Sequence, residues 1–329
     1  MSAGRTCSVT LDDIGAARER IAGAVRRTPL VQSDWLGERA GGPVHLKLET
    51  LQVTHSFKAR GALNAAAAVA HAAPAQASPA TIVTASAGNH GRAIAWACER
   101  LGLRAIVFTP ADAPRAKTDA IRRHGAVLHD MARDYDEAET LAQAFAREHG
   151  AAFISPYDHP DVIAGAGTIG LELLEDLPDV GIVVVPIGGG GLISGIAVAV
   201  KSLRPAARVV GVEVEASTPY STARAAGRIV RIDIGETIAD GLGGNVDPET
   251  GTWPFIRDLV DTIVVVGERD VREMVRALLD EEHLVVEGAG AAAPAAVRAG
   301  LISFGGDRGV VLLTGANIDL ARLRPLLEA

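Results

Sequence analysis

The segment Gly181-Ile182-Val183-Val184-Val185-Pro186-Ile187 is apolar without alternation and runs directly into Gly188-Gly189-Gly190-Gly191. A strand with one wet face alternates apolar and polar side chains. An unbroken apolar run belongs to a strand covered on both faces, as in the middle of a parallel sheet. Helical patterning resumes over 192–203, so this stretch reads as strand, glycine turn, helix. The alternation extends along the chain. Further apolar strands are predicted at 44–49, 81–85, 104–108, 126–128, 152–154, 208–214, 262–266 and 310–313. Helices are predicted at 11–25 (capped by Thr10), 92–101, 114–124, 136–149, 165–174 and 291–299, with a charged surface helix over 268–282. Strands alternating with helices predict an α/β architecture of open, mostly parallel sheets covered by helices.

A chain of 329 residues can hold two such units or one large one. The Ala/Pro-rich stretch 70–80 is the expected crossing point and 155–160 the return. This division gives a large domain of 1–72 plus 157–329 with a small domain, 73–156, inserted in it. Within the stretch, 74–79 reads as loop. Aromatic residues make up only 4% of the chain, so the core must be aliphatic and alanine-rich. The net charge of -8 is spread along the chain and leaves no basic patch for nucleic acid. Cys7 and Cys98 are the only cysteines, which argues against a disulfide framework or a structural zinc site. The first residues carry no apolar leader and no apolar run is long enough for a bilayer, so the cytoplasm is the expected location.

Three segments carry chemistry on residue type alone. The tetraglycine run, between a strand and a helix, lets several backbone N–H groups converge on an anion, most naturally a phosphate. It lacks the Lys-Ser/Thr ending of a nucleotide loop and the GxGxxG spacing of a dinucleotide site. Four glycines in a row exceed what strand–helix packing alone is expected to need. Ser86-Ala87-Gly88-Asn89-His90 also joins a strand to a helix, and reads equally as a carboxylate-binding turn or a simple helix cap. Leu313-Thr314-Gly315-Ala316-Asn317 ends the last strand, where ligands collect in parallel sheets; Thr314 is either a hydroxyl for a pyridine nitrogen or a turn residue. Lys58, in Thr54-His55-Ser56-Phe57-Lys58-Ala59-Arg60-Gly61-Ala62, is either a solvated surface charge or an amine desolvated beside Phe57. A desolvated amine can form a Schiff base with an aldehyde.

Together these segments resemble the serine/threonine dehydratase and serine racemase family of pyridoxal-phosphate enzymes. The resemblance rests on Lys47-x-Glu49 followed by Thr54-x-Ser56-Phe57-Lys58-x-Arg60-Gly61-Ala62, on Ser86 to His90, on Gly188 to Gly191 and on Thr314 to Asn317. It is extended by Ala111-x-Ala113-Pro114-x-x-Lys117, Val162-Ile163-Ala164-Gly165, Ala239-Asp240-Gly241 and Glu287-Gly288-Ala289-Gly290, all in order. It implies the tryptophan-synthase-β-like fold, bound pyridoxal 5'-phosphate and a homodimer. Lys58 would be the Schiff-base lysine and Cα base, with Phe57 near the cofactor ring and Asn89 at its 3'-oxygen. Gly188, Gly189, Gly190 and Gly191 would hold the phosphate, and Thr314 would face the pyridine nitrogen. Gly241 and Glu287 would line the pocket. Ser86, Ala87, Gly88, Asn89 and His90 would receive the substrate carboxylate.

The reaction implied is loss of water from a β-hydroxy amino acid such as L-threonine or L-serine, giving a 2-oxo acid and ammonia. The alternatives are racemisation or β-replacement on the same fold, or a non-catalytic amino-acid- or phosphate-binding protein. Ala87 stands where the racemases carry a serine acid/base, which favours the dehydratase reading. His55 replaces a common glycine and either reshapes the pocket or faces outward. Glu213 ends a Gly-x-Glu strand at which relatives bind a divalent ion, but Pro219 replaces the expected acid, so no metal is expected. The side chain of the substrate stays open among serine, threonine, 3-hydroxyaspartate, aryl-serine and a hydroxyectoine-derived amino acid.

Overall fold

The computed structural model describes residues 8–72 and 79–328. Cys7 and most of the loop expected at 74–79 lie outside the described residues. Among the described residues, ten strands form two sheets: β1 (Leu30–Ser33), β2 (Val44–Leu48), β3 (Thr81–Ala85), β4 (Arg104–Pro110), β5 (Val127–Ala132), β6 (Ala152–Phe153), β7 (Ile182–Pro186), β8 (Arg208–Val214), β9 (Thr262–Val266) and β10 (Gly309–Leu313). The larger sheet runs β1-β2-β10-β7-β8-β9, and within it only the β1–β2 pair is antiparallel. The smaller sheet runs β5-β4-β3-β6 and is parallel throughout. The fold class expected from the alternation is the one observed.

The unbroken apolar run does what its pattern requires. All five residues of β7 are buried, and they divide by parity between the two faces. Ile182 and Val184 join the core beneath the alanine-rich helix Gly288–Arg298, whereas Val183 and Val185 join the core beneath helix Gly191–Leu203. Strand β10 splits in the same way, Val311 and Leu313 to one face and Val310 and Leu312 to the other. In the smaller sheet, Ile82 packs with Ala62, Ala66 and Ile94 on one side, and Val83 packs with Ala138 and Ala142 of helix Tyr135–His149 on the other.

Some boundaries differ from the pattern. The first helix is Leu11–Ile21, shorter than expected at its C-terminus because Ala22 turns extended and Gly23 is left-handed at φ 71. Its start is as expected: Thr10 and Asp13 exchange reciprocal bonds, a capping box. The helix expected at 165–174 spans Pro160–Asp176, since the His159 side chain caps it and Pro160 occupies its first turn without needing an N–H partner. Strand β1 and helices Asp34–Ala40, Pro219–Ala226, Thr252–Leu259 and Leu320–Glu328 carry no prediction. Each is short, and β1 has exposed polar and apolar residues side by side.

Helices Pro160–Asp176 and Gly191–Leu203 meet almost backbone to backbone at Gly195. A methyl there would run into the Ile163 carbonyl oxygen and stand 2.6 Å from the Gly167 nitrogen. Gly15, on the first helix, has nothing within 4 Å of the same position. Gly195→Ala should therefore lose about 1–3 kcal/mol to overpacking despite its better helix propensity. Gly15→Ala should gain about 0.5–1 kcal/mol. Urea midpoints of the two variants check the opposite signs; a stabilised Gly195→Ala would contradict the packing described.

Candidate active site

Five loops that leave the carboxyl ends of strands converge on one place, the usual position of ligands in open parallel sheets. They follow β2, β3, β6, β7 and β10. The β2 loop leads to Lys58, the first residue of helix Lys58–Ala72. The loop is sewn to the end of β10: Phe57 N–H donates to the Thr314 carbonyl at 3.0 Å, Ala316 N–H donates to the His55 carbonyl at 2.9 Å, and Ser56 bridges Gly315. Lys58 Nζ donates to the Pro156 carbonyl, just after β6, at 2.6 Å and lies 4.9 Å from the centre of the Phe57 ring.

Burial lowers the Lys58 pKa to about 8, against the opposing pull of Glu287. Its place at a helix N-terminus, where the peptide dipoles disfavour a cation, acts in the same direction. Glu287 shows the converse. Burial and the neighbouring Asp240 raise its carboxyl to about 7, while the bond from Asn89 resists. The amine and the carboxyl are thus both poised near neutrality.

Asn89 opens helix Asn89–Leu101 after β3. Its Nδ2 donates to Glu287 Oε1 at 2.6 Å, and its Oδ1 accepts from Asn317 Nδ2 at 2.6 Å. Asn317 also donates to the Thr54 carbonyl at 2.9 Å and accepts from Arg92 at 2.6 Å. It therefore ties the lysine segment to the smaller sheet. Ser86 Oγ accepts from Gly88 N–H at 3.1 Å within the same turn. Ala87 and Gly88 are half-buried in that turn. His90 is in the segment by backbone only: its imidazole is buried, with Nε2 3.4 Å from the Ile154 carbonyl. Burial, then the nearby Lys58 cation, hold the His90 pKa well below the usual value.

The tetraglycine turn lies beside these groups, since Tyr157 follows Pro156 and its ring covers Gly189. Packing accounts for every one of the four glycines, which corrects the expectation that four exceed what packing needs. A methyl on Gly188 would sit 2.9 Å from the Gly241 carbonyl, and one on Gly191 2.6 Å from the Tyr157 carbonyl. One on Gly190, left-handed at φ 88, would meet the Tyr220 hydroxyl at 2.6 Å. What supports an anion there is the donors. The N–H groups of Gly188, Gly189 and Gly190 have no acceptor among the described residues, and they precede the N-terminus of helix Gly191–Leu203. Ser194, in the first turn of that helix, keeps a buried hydroxyl with no partner among the described residues. This donor set fits a phosphate. Gly241 lies beside Gly188, and Glu287 and Thr314 flank Gly315.

Two further residues take part in local backbone bonding. His55 is exposed and left-handed at φ 58; its backbone N–H donates to the Gln52 carbonyl, so it shapes the turn and its side chain faces outward. Glu213 is buried, and its two oxygens accept from Tyr220 N–H at 2.7 Å and Ser221 N–H at 2.9 Å, capping helix Pro219–Ala226. A groove of about 760 Å³ between helix Leu11–Ile21 and helix Pro160–Asp176 lies apart from the converging loops.

The pyridoxal-phosphate dependent enzyme family matches residues 21–315. The chain belongs to this family. It is 41% identical over 315 residues to an L-threonine ammonia-lyase of Geobacter sulfurreducens, covering 96% of this chain and 77% of that one. Among solved structures it is similar to a T.th. threonine deaminase, with TM-score 0.84 and 39% identity, covering 94% of this chain and 99% of that one. It is also similar to a pyridoxal 5'-phosphate-dependent aspartate racemase, with TM-score 0.89 and 34% identity, covering 96% and 98%. The chain is accordingly a pyridoxal-phosphate-dependent carbon–nitrogen lyase.

Residue reading gave Asn317, Lys47, Glu49 and Arg60 as motif positions without a role, and overlooked the Pro156 carbonyl and the Tyr157 ring. Acylation of the apoprotein, followed by peptide mass spectrometry, checks the electrostatics. Lys58 should be half-modified near pH 8, where burial places its pKa, well below the ordinary lysine value of about 10.4. A Lys58 midpoint at that ordinary value would contradict the desolvated amine.

Proposed function

We propose that the protein is an ammonia-lyase that removes water from L-threonine, and from L-serine, to give a 2-oxo acid and ammonia. The observation that carries this reading is the desolvated Lys58 amine set among three donor groups of complementary chemistry. Pyridoxal phosphate, when bound, supplies a carbonyl that captures the substrate amine and a ring that delocalises the electrons left at Cα. The remaining work falls to the chain.

Gly188 to Gly191 offer N–H groups to the phosphate. Thr314 would offer a hydroxyl to the pyridine nitrogen, and Asn89 an amide to the 3'-oxygen. The turn from Ser86 to His90, at a helix N-terminus, receives the substrate carboxylate through its backbone. Phe57, Gly241 and Glu287 complete the walls. Lys58 would hold the cofactor through Nζ, and its amine, when free and neutral, would accept the Cα proton. Its depressed pKa leaves it neutral enough to do so near pH 8. A hydroxyl at Thr314 cannot protonate the ring as an acid would, which supports elimination over transamination.

Ala87 favours elimination over racemisation. Racemisation needs a second proton carrier on the face opposite Lys58, and a methyl group carries none. In this reading the two sheets mark the division into 1–72 plus 157–329 and 73–156, and the protein works as a cytoplasmic homodimer, as the family resemblance suggests.

A panel of β-hydroxy amino acids tests the proposal. L-Threonine and L-serine should give equal amounts of 2-oxo acid and ammonia, with no accumulation of the D-amino acid. Lys58→Ala should stay folded and lose turnover by about 10³-fold or more. A folded Lys58→Ala with parental rates, or D-amino acid as the main product, would contradict the assignment.

A further inference from the structure

Two residues past Lys58, Arg60 is completely buried. Its Nε and Nη2 grip Glu49 at 2.9 and 2.8 Å, and its Nη1 and Nη2 grip Glu172 at 2.6 and 2.9 Å. Nη1 also reaches Thr168 Oγ1 at 3.2 Å, and Nη2 the Arg26 carbonyl at 3.1 Å. Lys47 closes the cluster, donating to Glu172 at 2.7 Å and to the Thr28 carbonyl at 2.8 Å. Burial would raise the Glu49 carboxyl, but the Arg60 guanidinium overrides it and holds the pKa below the usual range. The two cations and two anions cancel.

The cluster joins three elements. Glu49 follows β2, Arg60 is in the first turn of helix Lys58–Ala72, and Glu172 lies on helix Pro160–Asp176, which follows the loop carrying Pro156. The two helices touch at this level: a methyl on Gly165 would meet the Arg60 carbonyl at 2.7 Å, and one on Gly61 would meet the Val162 carbonyl at 2.7 Å. Stability alone is a poor reason for the arrangement, because apolar replacements of buried ion clusters are often neutral or stabilising. A guanidinium is suited to something else. Its rigid fork fixes two carboxylates at set angles, which an ammonium cannot do.

We propose that Arg60 is a positioning residue for Lys58: through Glu49 and Glu172 it locks the entrance of the lysine helix against the helix beyond Pro156, keeping Lys58 Nζ aimed. Being neutral overall, the cluster acts by geometry, and the titratable groups facing Lys58 are Glu287 and His90. The proposal rests on the reading of Lys58 as the reacting lysine.

Arg60→Lys, which keeps the charge but loses the fork, and Glu172→Gln, which keeps an acceptor but loses the charge, test it in the holoenzyme. Both should load pyridoxal phosphate, with KM within about twofold and kcat lowered about 10- to 100-fold, the scale of a small misplacement of a reacting group. In the apoproteins, the acylation midpoint of Lys58 should move up from the parental value toward the ordinary lysine value of about 10.4. Lys58→Ala, measured alongside, separates two failures. An active Lys58→Ala removes the lysine assignment itself. An inactive Lys58→Ala beside Arg60→Lys and Glu172→Gln with parental kcat and midpoint removes only the positioning role. Variants that fail to fold, or that lose only thermal stability, would assign the cluster to holding the fold and overturn the proposal.

Discussion

Four charges, Lys47, Glu49, Arg60 and Glu172, are withdrawn from water at the junction of β2 with two helices. Removing each ion from water costs several kcal/mol even after relaxation, so such a cluster persists only when nearly every donor and acceptor is matched. Here the matching is dense, and it leaves the three elements little freedom to slide. The chemistry sits at the edge of this rigid block. Lys58 opens the helix that Arg60 anchors, and Pro156, which accepts from the Lys58 amine, lies just before the helix that bears Glu172.

Around that block the sheet topology supplies the rest. Five of the loops that reach the site leave the carboxyl ends of strands, and those after β3 and β7 lead into helix N-termini that favour anions. The same helix polarity that suits a phosphate at Gly188–Gly191 disfavours the ammonium of Lys58. Glu287, pushed up to about 7 by burial, and Lys58, brought down to about 8, stand closer in proton affinity than free carboxyl and amine groups do. One architecture thus prepares an anion site and a reactive amine.

Much of this was legible in the residues. The run from Ile182 to Pro186 could only be a strand covered on both faces, and its parity split between two cores bears that out. The order of motifs pointed to the family that the comparisons establish. What stayed hidden has physical reasons. Lys47 and Glu49 flank Leu48 in a pattern that looks like a half-wet strand, yet β2 is buried along its whole length. Pro156 contributes a backbone carbonyl, which has no side-chain signature. Glycines at 188–191 invited a ligand argument, although close packing, against Tyr157, Tyr220 and the Gly241 carbonyl, explains them and the open N–H groups carry the phosphate reading. His55 drew attention as a side chain, whereas its contribution is a left-handed turn and a carbonyl for Ala316.

The account turns on one covalent attachment point. Borohydride reduction of the holoenzyme, followed by peptide mass spectrometry, measures it directly. The account predicts one pyridoxyl group per chain, on Lys58, with Lys47, Lys117 and Lys201 unmodified. A pyridoxyl group on any other lysine, or none in a protein that turns over L-threonine, would contradict it.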